Sequence, residues 1–316
     1  MVTIGIDLGG TNIVAGVVDE QYRILASVKC KTNAKRSAEA IIDDMANVCR
    51  EAIKKAGLTM NDVAYVGIGA PGTCNLNTGE VEYANNLPFD NLPVRDMMNE
   101  RLRKPIYMEN DANAAAWGEV KAGAAKGASS CVCVTLGTGV GGGIVLDGKI
   151  YSGFNFAGAE IGHTVIVKDG APCTCGRNGC WEAYASATAL IAQTREAMTK
   201  HPESKMWEIA KTLEGANGLT AFDAMRAGDA VAKAVVDAYI DYVAVGVIDM
   251  INIFQPEVVC VGGGISKEGE TLLGPMREKI ERERYSRYSA RQSRLCAAEL
   301  GNDAGVIGAA CLGEMA

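Results

Sequence analysis

The chain opens with TIGIDLGGTNIVAGVV at residues 3–18, and its architecture follows from this segment. We predict strands at residues 3–7 and 13–18, which flank two glycines and a threonine at residues 9–11, and this pattern predicts a β-hairpin. Glycines at a hairpin tip let backbone N–H groups approach phosphate oxygens closely, and a threonine hydroxyl adds one more donor. The hairpin is therefore a candidate for binding phosphates.

A near-copy of this hairpin occurs later, where residues 131–146 read CVCVTLGTGVGGGIVL. We predict a strand from Cys131 to Leu136, a second glycine and threonine turn at residues 137–139, and a returning strand from Gly142 to Leu146. Two such turns on related strands indicate an internally duplicated chain that binds a nucleotide. Two ordinary tight hairpins are the alternative interpretation.

The segments around the hairpins alternate between strands and helices, which predicts an α/β fold. Further strands are predicted at Val63–Gly69, Ile106–Met108 and Val258–Val261. Helices are predicted at about Ala34–Ala56, Val94–Leu102, from Asp111 onward, Ala230–Phe254 and Ala304–Leu312. Because 316 residues exceed the usual size of one domain, we expect two lobes with a cleft and a boundary near Asp111.

Other glycine motifs for nucleotide binding do not fit the chain. The spacing G-x-G-x-x-G occurs at residues 67–72 and 137–142, but neither copy opens a helix, which disfavours a Rossmann dehydrogenase. The G-x4-G-K-S/T motif of P-loop enzymes does not occur. The predicted nucleotide ligands are Asp7, which suits hydrated Mg²⁺, and Gly9, Gly10, Thr11, Thr138, Gly139, Gly262, Gly263 and Gly264.

The carboxylate of Asp111 is a candidate catalytic base. The sequence ENDAN at residues 109–113 falls where a short strand meets a helix, and the carboxyl ends of strands face ligand crevices. Phosphoryl transfer uses such a carboxylate to accept the proton of the attacking hydroxyl, whereas capping the helix is the alternative role. Amides and carboxylates also suit sugar hydroxyls, which both donate and accept hydrogen bonds. The candidates are Asn86, Asn110, Glu160 and Glu182.

Four metal-ligating side chains between residues 163 and 180 predict a structural zinc site. They are His163, Cys173, Cys175 and Cys180. Glycines among them permit the sharp turns that bring four ligands to one tetrahedral ion, and a Cys3His shell leaves no open position for water. Zinc on one imidazole nitrogen leaves the other to donate to a sugar hydroxyl. Buried cysteines without metal are the alternative.

Composition disfavours several classes of protein. The chain is 48% hydrophobic and 22% charged, which is typical of an ordered enzyme. A formal net charge of −7 disfavours binding to nucleic acid or anionic membranes, and the basic stretch Arg277–Arg294 includes acidic residues typical of a solvated helix. We see neither a secretory signal pattern nor an apolar run of the ~18 residues that span a bilayer, so we expect a cytoplasmic protein.

These motifs resemble those of the ROK (repressor, open reading frame, kinase) family of bacterial sugar kinases, and within it the glucokinases. The most specific match is EIGH at residues 160–163 with CTCGRNGCWE at residues 173–182, and the resemblance covers nearly the whole chain. It implies an actin-like, ribonuclease H-related fold of two hinged lobes with ATP bound between them. The expected lobes are residues 1–112 plus 303–316 and residues 113–302. It also implies homodimers or homotetramers.

The resemblance further implies that Mg-ATP phosphorylates the 6-hydroxyl of glucose. The aspartate that matches Asp111 is the base in such kinases, and glycines like those at residues 262–264 lie against adenosine. The residues that match the sugar ligands of the family are Asn86, Asn110, Asp111, Glu160, His163 and Glu182. Asn85 precedes Asn86, and the choice between the two stays open.

Two rival functions stay open. Kinases of N-acetylmannosamine, N-acetylglucosamine or fructose differ from glucokinases by small changes in the sugar pocket. A non-catalytic sugar sensor is disfavoured by the presence of Asp111 and of both phosphate turns. A DNA-binding repressor is disfavoured by the acidic net charge, and because the three residues before Ile4 are too few to form a winged helix-turn-helix domain. Polyphosphate as the donor in place of ATP also stays open.

Overall fold

The structure, a computed structural model, describes residues 1–315, which form alternating strands and helices. The strands are β1 Val2–Leu8, β2 Asn12–Val18, β3 Ile24–Lys31, β4 Val63–Ala70, β5 Thr73–Asn75, β6 Glu80–Tyr83, β7 Asp90–Leu92, β8 Ile106–Asn110, β9 Cys131–Leu136, β10 Val140–Leu146, β11 Lys149–Ile150, β12 Val258–Gly263 and β13 Arg294–Ala297. The α-helices are α1 Ala38–Lys55, α2 Val94–Leu102, α3 Asp111–Ala122, α4 Glu182–Ala185, α5 Ala187–Lys200, α6 Met206–Ala210, α7 Thr220–Arg226, α8 Ala230–Phe254, α9 Glu270–Glu283 and α10 Ala304–Ala310.

Two five-stranded sheets share one strand order. The first runs β3-β2-β1-β4-β8 and the second β11-β10-β9-β12-β13, while β5, β6 and β7 form a small third sheet. In the first sheet β1, β2 and β3 are antiparallel neighbours, whereas β4 and β8 continue in parallel from β1. The second sheet likewise pairs β10 with β11 antiparallel and β12 with β13 in parallel. The repeated order supports the predicted internal duplication.

The chain divides into two compact units. The first unit consists of Met1–Val132, Gly143–Ala159 and the chain from Ala298 on, and the second of Cys133–Gly142 and Glu160–Ala297. The predicted lobes, residues 1–112 plus 303–316 and residues 113–302, stay a prediction. No helix among residues 1–315 has both the length and the apolar character that crossing a membrane requires.

In the first unit, α10 packs closely on α3 and on the first sheet. A Cβ atom at Gly308 would lie 1.6 Å from the carbonyl oxygen of Ala114, and one at Gly5 would lie 1.9 Å from that of Val306. These positions accept only glycine, because the helix and its neighbours approach backbone to backbone. Buried Glu119 of α3 accepts hydrogen bonds from the backbone N–H groups of residues 299 and 300, at 3.1 and 2.9 Å, and so fixes the segment that leads into α10.

A capping side chain accounts for the difference between the predicted and the observed start of α1, whereas α10 ends at Ala310 rather than at the predicted Leu312. Helix α1 begins at Ala38 rather than Ala34, because the side chain of Ser37 accepts a hydrogen bond from the Ala40 N–H and caps the helix. The predicted bounds of α8 are confirmed, and Asp229 caps it. The basic stretch at residues 277–294 is not one helix: α9 ends at Glu283, and a loop leads into β13.

Candidate active site

The first glycine turn joins β1 to β2 and is held by the end of β3. The Gly9 N–H donates to the Asn12 carbonyl at 2.9 Å. Thr32 donates through its N–H to the Thr11 carbonyl at 3.0 Å and through its hydroxyl to the Gly9 carbonyl at 2.6 Å. Thr32 is fully buried, and its role was not predicted from the sequence. A threonine directly after a strand that pairs with the hairpin would have been the signal.

Asp7 and Asp111 form an acidic pair within the first unit. Asp7 lies near the end of β1, and Asp111 is the first residue of α3, directly after β8. Burial, and then the charge of Asp111, raise the pKa of Asp7 to about 6. Burial likewise raises the pKa of Asp111. Two poorly solvated carboxylates that repel each other favour a cation between them, and oxygen ligands of this kind fit Mg²⁺.

Asn110, rather than Asp111, caps helix α3. Its Oδ1 accepts hydrogen bonds from the N–H groups of Ala112 and Asn113 at 2.9 and 3.2 Å, and its Nδ2 donates to the Gly72 carbonyl at 3.2 Å. Asp111 accepts one bond, from the adjacent Ala112 N–H at 2.9 Å. Helix capping, the alternative role that the sequence allowed for Asp111, is therefore performed by Asn110. Much of the hydrogen-bonding capacity of the Asn110 amide is already used within the fold.

Glu109 supports the corner where β8 meets α3. Its Oε1 accepts bonds from the Asn110 N–H at 2.8 Å and the Asn113 amide at 3.1 Å, while its Oε2 accepts from the Ser152 hydroxyl at 2.7 Å. Burial raises its pKa. No role was predicted for Glu109, although a carboxylate within a short apolar strand is the signal that would have found it.

The last predicted ligand of the first unit is Asn86, which lies beside the first glycine turn. A Cβ atom at Gly10 would lie 3.1 Å from the Cβ of Asn86, so the two residues are in contact. The Asn86 side chain is exposed, and its neighbour Asn85 is exposed too. The contact with Gly10 favours Asn86 over Asn85 as the residue that faces the site.

The second glycine turn, between β9 and β10, is held by the start of α5. The Ala187 N–H donates to the Gly137 carbonyl at 2.8 Å, and the Thr188 hydroxyl donates to the Thr138 carbonyl at 2.8 Å. The third glycine segment lies against it, because a Cβ at Gly263 would lie 2.3 Å from the Leu136 carbonyl oxygen. Gly263 also has a φ of 88°, which favours glycine. The second unit therefore places Thr138 and Gly139 next to residues 262–264.

Glu182 joins this second turn to the cysteine loop. Its Oε2 accepts a hydrogen bond from the Val140 N–H at 3.0 Å, and its Oε1 accepts one from the Thr174 hydroxyl at 3.3 Å. Gly139 makes room for the carboxylate, because a Cβ there would lie 2.2 Å from Glu182 Oε2. The predicted sugar ligand Glu182 therefore also has a structural role.

The four predicted zinc ligands converge. One ligand atom from each of His163, Cys173, Cys175 and Cys180 lies within 4.8 Å of the other three. The Cys175 and Cys180 sulfurs are 3.6 Å apart, and the Cys173 sulfur is 3.6 Å from His163 Nδ1. Tetrahedral zinc with bonds of about 2.3 Å to sulfur and 2.0 Å to nitrogen places such pairs about 3.5–3.8 Å apart. The donor set and its spacing fit zinc.

Hydrogen bonds hold the cysteine loop in place. The Arg177 guanidinium donates to the His163 carbonyl at 3.2 Å. A hydrogen bond from the backbone N–H of Arg177 is the largest cause of the lowered pKa of the Cys175 thiol. The Trp181 indole is buried and donates to the Tyr242 carbonyl of α8 at 2.8 Å. Glu160 is exposed directly before the short 3-10 helix Ile161–His163. Because Nδ1 of His163 faces the sulfurs, Nε2 is the nitrogen left for a ligand.

The chain was compared with known proteins, and the ROK family profile matches residues 3–315. The glucokinase of Thermotoga maritima is 39% identical, over 98% of this chain and 96% of that protein. The crystal structure of a ROK family glucokinase from Streptomyces griseus in complex with glucose and AMPPNP is 38% identical, with a TM-score of 0.82 and full coverage of both chains. The xylose repressor of Caldicellulosiruptor bescii is 30% identical, over 89% of this chain and 70% of the repressor. The likeness to the solved structure confirms the predicted actin-like α/β fold.

Proposed function

The chain belongs to the ROK family, and from this membership and the Asp7–Asp111 pair we propose that it is an ATP-dependent hexokinase that converts glucose to glucose 6-phosphate. The observation that carries the proposal is the position of Asp111, a half-buried carboxylate that does not cap the helix because Asn110 does. The glucokinase relatives, one of them solved with glucose and an ATP analogue, support glucose and ATP as the substrates.

In the proposed reaction Asp111 accepts the proton of the 6-hydroxyl as the hydroxyl oxygen bonds to the γ-phosphorus and the bond to ADP breaks. The raised pKa of Asp111 brings its basicity closer to neutral pH, where a general base is most effective. Asp7 would hold Mg²⁺, and the bound ion would supply charge neutralisation on the phosphates. Gly9 shapes the first turn through its bond to Asn12. Backbone N–H groups of Gly10, Thr11, Thr138 and Gly139 and the two threonine hydroxyls contact phosphate oxygens, while residues 262–264 lie against adenosine.

We assign the hexose to the predicted sugar ligands. They are Asn86, Asn110, Asp111, Glu160, His163 through Nε2, and Glu182. Structural zinc on His163, Cys173, Cys175 and Cys180 fixes the segment that carries the last three ligands, and the convergence of the four ligand atoms supports this assignment. A cytoplasmic homodimer or homotetramer is the proposed working form, which light scattering on the purified chain would test.

The first experiment is a coupled ADP-release assay with Mg-ATP and each of glucose, N-acetylmannosamine, N-acetylglucosamine and fructose. We expect rapid turnover with glucose and at least a tenfold lower kcat/KM with the other sugars. Turnover with an acetylated amino sugar alone would overturn the substrate but keep Asp111 as the base. No turnover with any sugar, together with measurable sugar binding, would favour a sensor.

A further inference from the structure

Two thiols of the second unit face each other across neighbouring strands of the second five-stranded sheet. Cys260 lies in β12, Cys296 lies in β13, and the two residues are directly opposite in the parallel register. Their sulfur atoms are 3.8 Å apart. A disulfide usually joins residues whose α-carbons are about 4.4–6.8 Å apart, and neighbouring strands lie about 4.7–4.9 Å from each other. The backbone spacing at this pair therefore suits a disulfide.

The position of β13 allows the two sulfurs to approach. This strand has four residues and lies at the edge of its sheet, where β12 is its neighbour on one side. Closing the sulfurs from 3.8 Å to a bond of about 2.05 Å needs side-chain rotation and a small shift of this short strand. The Cys133 sulfur lies within 4.8 Å of the Cys260 sulfur, but Cys133 is in β9, which strands hold on both sides. Cys296 is therefore the favoured partner of Cys260.

The two thiols differ in their access to solvent. Cys296 is half-buried, whereas Cys260 is fully buried. The Arg277 guanidinium is close enough to Cys296 for their charges to interact, although it also donates to Glu270 at 2.6 and 3.2 Å, which offsets part of its charge. A neighbouring cation favours the thiolate, and accessible thiolates are the form that oxidants modify. A soluble oxidant therefore meets Cys296 first.

We propose that Cys296 and Cys260 form a peroxide-responsive thiol pair, in which Cys296 is oxidised first and Cys260 then closes a disulfide with it. The Cys296 thiolate attacks one oxygen of hydrogen peroxide, the O–O bond breaks, and Cys296 becomes a sulfenic acid. The Cys260 sulfur attacks the Cys296 sulfur, so the S–S bond forms as the S–O bond breaks. The peroxide accepts two electrons from the thiols, and both its oxygens leave as water with the thiol protons. The bond lies just before the third glycine segment, since Gly262 follows Cys260 by two residues.

The test treats the full-length, zinc-loaded protein with hydrogen peroxide and maps the oxidised peptides by tandem mass spectrometry. Parallel samples contain dimedone, which traps sulfenic acids. We expect a Cys260–Cys296 disulfide in the parent chain that dithiothreitol reverses. In Cys260→Ala the dimedone adduct should accumulate on Cys296, several-fold above its level in the parent, because the thiol that removes the sulfenic acid is missing. In Cys296→Ser neither the disulfide nor an adduct on Cys260 should form.

Cys30 is the matched control thiol, because it is also half-buried in a strand. Burial, and then the charge of Asp44, raise its pKa, so it should gain several-fold less adduct than Cys296 does in Cys260→Ala. Zinc content is measured in the same samples, which separates oxidation of the cysteine loop from oxidation of the pair. A Cys133–Cys260 disulfide in place of the expected one, or equal adducts on Cys30 and Cys296, would overturn the proposal.

The proposal stays testable if Cys260→Ala fails to fold, as circular dichroism would show. The parent chain and Cys296→Ser then test the disulfide, and early dimedone trapping in the parent tests the order of oxidation. An early adduct on Cys260 rather than on Cys296 would show that the order is wrong. None of these measurements depends on kinase activity, so a failure of the thiol pair and a failure of the proposed function are distinguishable.

Discussion

Asp111, the proposed base, does not cap helix α3, because its neighbours hold the corner where β8 meets α3. Asn110 caps the helix, and Glu109 receives hydrogen bonds from Asn110, Asn113 and Ser152. Glu109 and Asn110 therefore have separate structural roles, and neither role falls on Asp111. The sequence predicted Asp111 as the base, and that assignment stays a prediction. It did not identify Asn110 as the cap, because capping suits any short polar side chain at a helix start.

Asp111→Asn tests the base directly. The substitution keeps the shape of the side chain, leaves the cap intact and removes a charge that burial disfavours, so we expect a melting temperature no lower than that of the parent and retained zinc. Because an amide does not accept the hydroxyl proton, kcat should fall by about 10²–10⁴-fold or more. Asp96→Asn, an exposed carboxylate in the first turn of α2, is the matched control and should be fully active. Turnover of Asp111→Asn within a few-fold of the parent would disprove the assignment.

Asp7→Asn should stabilise the ligand-free protein while abolishing activity. Folding raises the pKa of Asp7 from 3.8 to about 6, so its charged form is disfavoured in the folded state. A raised carboxyl pKa therefore costs stability at neutral pH, at most about 3 kcal/mol, and the cost vanishes as pH falls through about 6 toward the unfolded value.

Denaturant unfolding of the parent chain and Asp7→Asn between pH 4 and pH 8 would measure this effect. The stability gained by Asp7→Asn should be largest at pH 7 and above and nearly absent at pH 4. Mg²⁺ with nucleotide should stabilise the parent and have little effect on the variant. If Asp7→Asn were less stable than the parent at pH 7, the conclusion that the ionised Asp7 side chain destabilises the folded protein would be wrong.

The cysteine loop and the second glycine turn form one structural element joined by Glu182. One carboxylate oxygen accepts from Thr174 in the loop, and the other accepts from Val140 at the start of β10. The sequence predicted the zinc ligands from their type and spacing alone. It did not predict this link, because the donor on Val140 is a backbone N–H, and a backbone donor does not depend on the residue type.

Cys175→Ser should release zinc and disturb both ends of this link. We expect loss of bound zinc by elemental analysis, and a kcat/KM for glucose lowered by at least tenfold because His163 and the loop lose their anchor. KM for ATP should rise as well, since Glu182 no longer holds the second turn. Cys30→Ser, in β3 and outside the cysteine loop, is the control. Full activity without zinc would refute the positioning role of the metal.

At the level of the whole chain, hydrophobic alternation and periodicity predicted the α/β class, the two hairpins and the bounds of α8. The unit boundaries follow from long-range packing, which a single sequence encodes weakly. The C-terminal segment joins the first unit through contacts such as Gly308 with Ala114 and Glu119 with Leu300. No local pattern around residue 308 distinguishes that glycine from one in an exposed helix, so its importance is visible only in the structure.

Gly308→Ala and Gly274→Ala are the same change inside two helices, and they should have opposite effects on stability. A methyl group at position 308 would meet the Ala114 carbonyl oxygen at 1.6 Å, so α10 must move away from α3. We expect a loss of more than about 3 kcal/mol in the free energy of unfolding. At position 274 the nearest atom is a flexible carboxylate oxygen 3.8 Å away, so alanine should add up to about 1 kcal/mol by favouring the helix.

The same pair of variants connects packing to chemistry. A Cβ at Gly305 would lie 2.9 Å from the Asp7 carboxyl carbon, so α10 lies directly against Asp7, while α3 begins at Asp111. Displacing α10 therefore disturbs both carboxylates, and Gly308→Ala should lose activity below the temperature at which it unfolds. Thermal melts paired with ADP-release rates on both variants would test this. If Gly308→Ala were as stable and active as Gly274→Ala, close backbone packing of α10 would not be what holds the acidic pair in place.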